Sequence, residues 1–326
     1  MHAIIPVAGK GTRMRPLTWS LPKVLIRLAG KTMLGHIIDE LTASGIDHIT
    51  LVVGYLGDEI VDWARKNYPE IQVDFAMQKT MDGLAAAVNL ASPMTNDGQT
   101  LVVLGDTLFS ADLSLALNSE SNMIAVKRVK DPRRFGVVVQ DNNGVKELVE
   151  KPQEFISDLA IVGIYGFISG YELMDATSRL IESGKKTSGE FQLTDAMQLM
   201  LEEGHPFGCF EVDGWYDCGK PETILETNRI LLDLKKGSSE GELRNTVIIP
   251  PVSIDDDVTI ESSVVGPYVS IASGSEVRDS IIRNTIVGCG TKLINVNLHD
   301  SIIGNEADIS GSAVRINAGS SCKIEI

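Results

Sequence analysis

The sequence predicts two architectures in succession: an α/β part built on a mostly parallel sheet, then a short parallel β-helix. Up to about residue 230, short apolar runs alternate with stretches whose apolar residues recur at helical spacing, the rhythm of β-α-β units. From Val247 onward an aliphatic residue recurs every five or six residues, the period of hexapeptide-type repeats. Between them lies Lys235-Lys236-Gly237-Ser238-Ser239-Glu240-Gly241, a polar glycine-containing linker that divides the chain into residues 1–237 and 242–326.

Ala3 to Val7 is the first buried strand. Thr32 to Ser44 carries Met33, Leu34, Ile37, Ile38 and Leu41 at helical spacing, with Thr32 placed to cap the start and Gly45 to end the helix. The strand Ile49 to Val53 precedes a helix over Asp58 to Asn67. Ile71 to Met77, a helix from Gly83 to Leu90 and the apolar strand Leu101 to Leu104 continue the alternation. Between Asn122 and Phe167 strands dominate. Val137 to Val139 and Val145 to Val149 flank the turn residues Asp141, Asn142, Asn143 and Gly144, and read as a sheet extension over a bound ligand. Pro221 opens a last helix that carries Ile224, Leu225, Ile230 and Leu231.

In the second part the recurring positions are Ile248, Ile254, Ile260, Val265, Ile271, Val277, Ile282, Val287, Leu293, Leu298, Ile303 and Ile309. Near-copies such as Ser263-Val264-Val265-Gly266, Ser280-Ile281-Ile282-Arg283 and Ser301-Ile302-Ile303-Gly304 disfavour the alternative, an antiparallel sandwich.

Composition narrows the function. The chain has 326 residues, 43% of them hydrophobic, enough for two cores. A net charge of -15, from 29 Lys+Arg against 44 Asp+Glu, argues against a surface that grips nucleic acid, so any phosphate site must be local. Cys209, Cys218, Cys289 and Cys322 are scattered without a C-x-x-C pair, which fits a reducing cytoplasm. The first residues lack the basic and long apolar regions of a signal peptide, and no run of ~18 apolar residues predicts a membrane span. His2, His36, His48 and His205 show no ligand spacing and read as structural or surface residues, so no zinc site is expected.

The densest signal is Ala8-Gly9-Lys10-Gly11-Thr12-Arg13-Met14-Arg15-Pro16-Leu17-Thr18, followed by Leu21-Pro22-Lys23-Val24-Leu25. A glycine loop directly after the first strand lets backbone N–H groups approach phosphate oxygens, while Lys10, Arg13, Arg15 and Lys23 supply positive charge. A dinucleotide fingerprint would need a glycine where Met14 stands, and a Walker A loop would need Gly-Lys-Ser/Thr at its end. Leu101-Val102-Val103-Leu104-Gly105-Asp106 sets a carboxylate just past the carboxyl end of a buried strand, where open α/β sheets place ligands, and such a group suits a hard Mg2+ ion.

The loop, read as G-x-G-x-R-x-x-P-x-T with Pro22-Lys23 after it, resembles that of the sugar-1-phosphate nucleotidyltransferase family. The resemblance covers nearly the whole chain and is nearest to glucose-1-phosphate thymidylyltransferases that carry a C-terminal left-handed β-helix. It implies a Rossmann-like sheet, joining of a sugar 1-phosphate to a nucleoside triphosphate with release of pyrophosphate, and Mg2+ as the working ion. By resemblance, Ala8, Gly9, Gly11 and Thr12 bind the nucleotide, Arg13 neutralises the triphosphate and the leaving pyrophosphate, and Lys23 faces the reacting phosphates. Asp106 and Asp217, the latter in Gly214-Trp215-Tyr216-Asp217-Cys218-Gly219, would hold the metal.

Glu150-Lys151-Pro152 resembles the family's E-K-P element, in which the acid binds sugar hydroxyls and the lysine the sugar phosphate. Gly136, Gly163 and Glu190 match further sugar contacts, although both glycines could serve strand bends, and Asp195 is expected to cap the helix after it. Phe135 stands where tyrosine is frequent and Gly219-Lys220 where Gly-Thr is commoner, which leaves the sugar open. Gln78-Lys79-Thr80-Met81-Asp82-Gly83-Leu84-Ala85 is similar to the base-reading segment of thymidylyltransferases, with Gln78 and Gly83 on a pyrimidine edge. One methyl separates dTTP from UTP and is worth only ~1–3 kcal/mol, so overlapping use is expected.

Within the class, a UTP-dependent glucose-1-phosphate uridylyltransferase and a mannose-1-phosphate guanylyltransferase remain alternatives. Outside it stands a non-catalytic regulatory subunit that binds nucleotide or sugar phosphate, disfavoured because Arg13, Lys23, Asp106, Asp217 and Lys151 are all retained. His299, the only histidine after residue 205, reads as solvent-facing, against a second, acyltransferase activity. The β-helix is then expected to stabilise a homo-oligomer or to pack on the catalytic part.

Overall fold

The computed structural model describes residues 1–141, 144–235 and 237–311; Asn142, Asn143, Lys236, Cys322 and the end of the 242–326 segment lie outside the described residues. Two compact units result: Met1–Ile26 with Lys31–Ile224, and Arg27–Gly30 with Leu225 onward.

The chain begins with β1 (His2–Pro6), the two-residue strands β2 (Arg27–Leu28) and β3 (Lys31–Thr32), α1 (Met33–Ala43), β4 (His48–Val53), α2 (Gly57–Asn67) and β5 (Gln72–Met77). It continues through α3 (Leu84–Asn89), β6 (Thr100–Val103), β7 (Thr107–Ser110), α4 (Ser114–Leu117), β8 (Asn122–Arg128), β9 (Gly136–Asp141), β10 (Gly144–Glu150) and β11 (Leu159–Phe167). Then come α5 (Gly170–Ser183), α6 (Leu193–Glu202), β12 (Phe207–Glu211), β13 (Gly214–Asp217) and α7 (Pro221–Lys235). The first unit is a nine-stranded sheet whose central run β6-β1-β4-β5 is parallel, as the β-α-β rhythm requires. β11 lies antiparallel beside β6, and the β9–β10 hairpin extends the sheet. Ile4, Val52, Val102, Tyr165 and Phe167 share one core with Val88, Leu173 and Met197 of α3, α5 and α6. Each such buried side chain contributes roughly 1.5–3 kcal/mol by area removed from water.

Local signals set the helix ends. Thr32 Oγ1 accepts from Gly35 N at 3.0 Å at the start of α1, a cap worth ~1 kcal/mol, and the chain turns away at Gly45, φ 87°. One reading needs correction: Asp195 is not the cap of α6 but lies inside its first turn, with Gln192 at the cap position. Its charge still suits the positive end of the helix dipole.

In the second unit the aliphatic period becomes a stack of parallel strands. They are β14 (Ser238–Ser239), β15 (Glu242–Arg244), β16 (Val247–Ile248), β17 (Val252–Ile254), β18 (Thr259–Glu261), β19 (Val264–Val265) and β20 (Val269–Ile271), then β21 (Glu276–Arg278), β22 (Ile281–Val287), β23 (Lys292–Ile294), β24 (Asn297–Ile303) and β25 (Asp308–Ser310). Ile254 pairs with Ile271, Ile271 with Val287 and Val287 with Ile303, so each turn takes 16 or 17 residues. Ile254, Ile260, Val265, Ile271, Val277, Ile282, Val287 and Leu293 form one buried core, with Ile248, Leu298 and Ile309 packed on it. This is a parallel β-helix. It starts inside the segment read as linker, since Ser238 and Ser239 already pair with Ser253 and Ile254. Both serines are exposed, so no apolar period announces that strand.

Candidate active site

The basic loop follows β1 as a left-handed turn and a 3-10 turn over Thr12–Met14. Gly11 has φ 58°, and a Cβ there would lie 3.0 Å from Lys23 Cβ and 3.1 Å from Thr18 Cγ2, so glycine lets Lys23 pack against the loop. Thr18 Oγ1 donates to Gly11 O at 2.8 Å and fixes the return. Gly9 differs, because a Cβ on it would meet nothing within 4 Å; its open side faces a cavity of about 290 Å³. That cavity is lined by Gly9, Gly11, Thr12, Arg13, Lys23 and Asp106 among others. Ala8 is buried, its carbonyl accepting from Tyr55 N at 3.3 Å, whereas Lys10 and Arg15 are exposed and line no described cavity.

Asp106 follows Gly105 at the end of β6, where a Cβ on Gly105 would run into Val7 Cγ1 at 2.4 Å. The glycine thus brings the carboxylate close over the end of β1. Lys23 Nζ donates to Asp106 Oδ2 at 2.8 Å, the lysine side chain 10% exposed and the aspartate 44%, so the carboxylate keeps an open side. Antiparallel pairing of β7 with β13 sets Asp217 opposite Thr107, and Cys218 N donates to Asp106 O at 3.3 Å. Sequence positions 106 and 217 therefore meet. Beside them, a Cβ on Gly219 would lie 2.9 Å from Asp217 Oδ1 and 3.2 Å from Arg13 Nη2, so Gly219 leaves room for the guanidinium and the carboxylate together.

A second cavity, about 440 Å³, shares Arg13 and Asp106 with the first as lining residues, along with Leu84 and Leu104. Gly136, Glu150, Lys151, Thr194, Trp215 and Asp217 line it as well. Glu150 accepts from Thr194 Oγ1 at 2.9 Å and lies 3.1 Å from Lys151 Nζ. Gly136 pairs with Glu150 across the β9–β10 hairpin, and a Cβ on it would come within 3.1 Å of Glu150 Oε2. Tyr165, buried beneath, has its phenol pushed well above the ordinary value by burial and then by the Glu150 charge, so it stays neutral.

Other expected residues stand back. Gly163, φ 100°, forms the β11 irregularity over Leu104, with a Cβ position 2.6 Å from Leu104 Cδ1, and contributes no wall. Gln78 is buried just past β5, its backbone N donating to Val53 O at 2.8 Å, and lines neither cavity. A Cβ on Gly83 would strike the Phe191 backbone at 2.4 Å, so glycine at 83 allows Ala85 N to bond Phe191 O at 2.9 Å. Glu190 is exposed and near Gln192 Nε2 at 3.4 Å; Gln192, Leu193 and Thr194 reach the cavity instead. Sequence reading missed Thr194, Trp215, Arg134 and Lys220 as lining residues. Trp215 could have been found, since it lies two residues before Asp217 on the same face of a strand.

Among the described residues no helix is long and apolar enough to cross a membrane, and no cluster of three or more His, Cys, Asp or Glu could hold a metal. The profile of a family described as nucleotidyl transferase matches residues 2–233. The bifunctional protein GlmU of Methanocaldococcus jannaschii is 35% identical over 341 residues, covering 97% of this chain and 81% of its own. A glucose-1-phosphate thymidylyltransferase of Streptomyces griseus is 29% identical over 343 residues, covering 96% of this chain and 94% of its own. Among solved structures, a Bacillus anthracis protein assigned as a glucose-1-phosphate thymidylyltransferase, in complex with sucrose, is similar with a TM-score of 0.62 at 26% identity, over 71% of this chain and 95% of that one.

Proposed function

The chain belongs to the nucleotidyl transferase family and is a sugar-phosphate nucleotidyltransferase, and from that premise we propose that it joins glucose 1-phosphate to dTTP, or to UTP, releasing pyrophosphate. The observation that carries this reading is the wall common to the two cavities. Arg13 and Asp106 stand where a nucleotide chamber bounded by the glycine loop would meet a sugar-phosphate chamber bounded by Glu150 and Lys151.

The chemistry asks for that arrangement. A sugar-phosphate oxygen attacks the α-phosphorus, a new P–O bond forms, and the bond to the β-phosphate breaks with its electrons leaving on pyrophosphate. Anion attacks anion, so charge must be offset and the partners held in line; no protein nucleophile is needed. In this reading Lys151 holds the sugar phosphate, Glu150 accepts from sugar hydroxyls while Thr194 fixes its other oxygen, and Gly136 offers backbone to the sugar. Ala8, Gly9, Gly11 and Thr12 cradle the nucleotide, and Arg13 and Lys23 stabilise charge as pyrophosphate departs. Asp106 and Asp217 are two hard carboxylates brought together by β7 and β13, a donor set that fits Mg2+ taking its remaining ligands from phosphates and water. Bound there, the ion would cancel phosphate charge. Gln78 and Gly83 on the base, and Gly163 and Glu190 on the sugar, require movement from their present positions or act by shaping the walls.

The Streptomyces relative's name favours glucose 1-phosphate and dTTP, and the likeness to GlmU keeps the uridylyl and other sugar readings in play. The test is pyrophosphate release from glucose 1-phosphate, Mg2+ and each of dTTP, UTP, GTP, ATP and CTP, with Asp106→Asn as control. Release with dTTP or UTP, lost in the variant, supports the reading. Equal release with GTP would overturn the assignment of Gln78, and release only with mannose 1-phosphate would move the sugar.

A further inference from the structure

Arg27–Gly30 begins four residues after Lys23, yet it belongs to the second unit. Its attachments there are specific. Arg27 Nη2 donates to Asp255 Oδ2 at 2.7 Å and to Gly30 O at 2.8 Å, and Asp255 Oδ2 also accepts from Ser273 N at 3.0 Å. Ala29 N donates to Asn228 Oδ1 at 2.8 Å. Asn228, on α7, has no exposed surface; its Oδ1 also accepts from Ser270 Oγ at 2.7 Å and its Nδ2 donates to Tyr268 O at 3.4 Å. A Cβ on Gly30 would lie 2.7 Å from Ser253 Oγ. Ala29 itself is at φ 47°, a left-handed conformation that an alanine keeps only where its surroundings over-determine it.

The chain between this anchor and Lys23 is stiff. Lys23–Leu25 is a 3-10 turn in which Leu25 N donates to Pro22 O at 2.9 Å and Ile26 N to Lys23 O at 3.1 Å, and Val24, Leu25 and Ile26 are buried. We propose that Asn228 and Asp255 are positioning residues for the transfer reaction, fixing Lys23 through residues 24–30. The effect would travel along the chain itself, through the four residues that it contributes to the second unit. The catalytic half of this inference rests on the proposed role of Lys23; the anchorage does not.

The test uses the full chain with Asn228→Ala and, because removing a buried amide endangers folding, the near-isosteric Asp255→Asn. Amide hydrogen exchange over residues 23–26 should quicken about tenfold in both variants while amides of β1 and β4 keep their protection. Unchanged exchange at 23–26 overturns the proposal whatever the chain's activity. In steady-state pyrophosphate release, kcat should fall about tenfold with KM for glucose 1-phosphate within about twofold, and Asp255→Glu should recover most of the loss. In a Lys23→Ala background the same substitutions should change kcat less than about twofold, because the group they position is gone. Full additivity there overturns the positioning role. A parent enzyme silent with every substrate pair would defeat the proposed function instead, and the exchange measurement would still decide the anchorage.

Discussion

The two units use left-handed backbone for different ends. In the β-helix, non-glycine residues of positive φ recur turn after turn: Asn245, Ser262, Asp279 and Asn295 form one corner, and Tyr268, Asn284 and Asp300 another. Each corner bonds to the turn before it, Ser262 N to Arg244 O, Asp279 N to Glu261 O and Asn295 N to Arg278 O, so stacking offsets the strain. In the α/β unit the described residues of this kind are Leu56, Lys151 and Ser188, at unrelated places. Lys151 alone of these lines the large cavity. Strain that repeats with the fold is architecture. Strain that occurs once, beside charged groups in a cavity, points to function.

If chemistry is confined to the strand ends of the α/β unit, the largest effect belongs to Asp106. Asp106→Asn should lower the rate of pyrophosphate release by about 10³-fold, the order found when a group that stabilises transferring charge is removed. Circular dichroism should remain that of the parent. Residual activity within tenfold of the parent would remove Asp106 from the transfer step.

The opposite test removes interior, not charge. Ile271 stacks between Ile254 and Val287 on adjacent turns and is 2% exposed. Ile271→Ala should cost roughly 2–5 kcal/mol in denaturant unfolding of the second unit. A loss below about 1 kcal/mol would mean that the turns close around the gap and that the ladder is softer than its burial implies.

A pH effect of comparable size is located at the first strand pair. His2 is 3% exposed, bonded through Nε2 to Thr50 Oγ1 at 2.8 Å and stacked on His48 at 4.3 Å. Burial, then the neighbouring His48, lowers its pKa from 6.5 to about 4. The unfolded imidazole binds a proton first as pH falls, so stability is whole above about 6.5 and drains between there and about 4, by about 3 kcal/mol in all. His2→Gln should flatten that part of the stability profile. An unaltered slope would place the titration elsewhere.

The comparison also explains what the sequence made legible. The β-helix core was readable because an aliphatic side chain enters the interior every five or six residues, and Ile254 to Leu293 keep that period without a gap. Its corners were not, because asparagine, serine, aspartate and tyrosine all take the same left-handed turn and no residue type marks it. Nor was β14, two exposed serines whose pairing depends on a strand that comes later in the chain. In the α/β unit the loop was readable because Gly11 and Lys23 must pack against each other at fixed spacing. The meeting of Asp106 with Asp217 depends on β7 pairing with β13 across more than a hundred residues, and only the resemblance to a family suggested it. Thr194 carried no local signal at all; it matters because α6 aims its hydroxyl at Glu150.

The smallest effect sharpens the contrast most, because glycine should be favoured over alanine at an isolated left-handed residue yet disfavoured against the parent side chain at a repeated one. Lys151 has φ 45° and its ammonium lies 3.1 Å from Glu150 Oε1. Lys151→Ala and Lys151→Gly both remove the charge, so both should raise KM for glucose 1-phosphate by about tenfold. They differ in backbone: left-handed φ costs an L-residue ~1–2 kcal/mol, while glycine loses ~0.5–1 kcal/mol more in chain entropy on folding. Lys151→Gly should therefore be more stable than Lys151→Ala by about 0.5–1 kcal/mol. At the corner residue Asn284, φ 44°, the side chain accepts from Arg229 Nε at 2.7 Å and donates to Asp300. There glycine relieves strain that asparagine tolerates well but deletes two bonds worth about 1 kcal/mol each, so Asn284→Gly should destabilise relative to the parent. Matched thermal unfolding of the variants decides it. Should Asn284→Gly stabilise relative to the parent, the corner bonds would not offset the strain, and repeated and isolated left-handed residues would differ only in number.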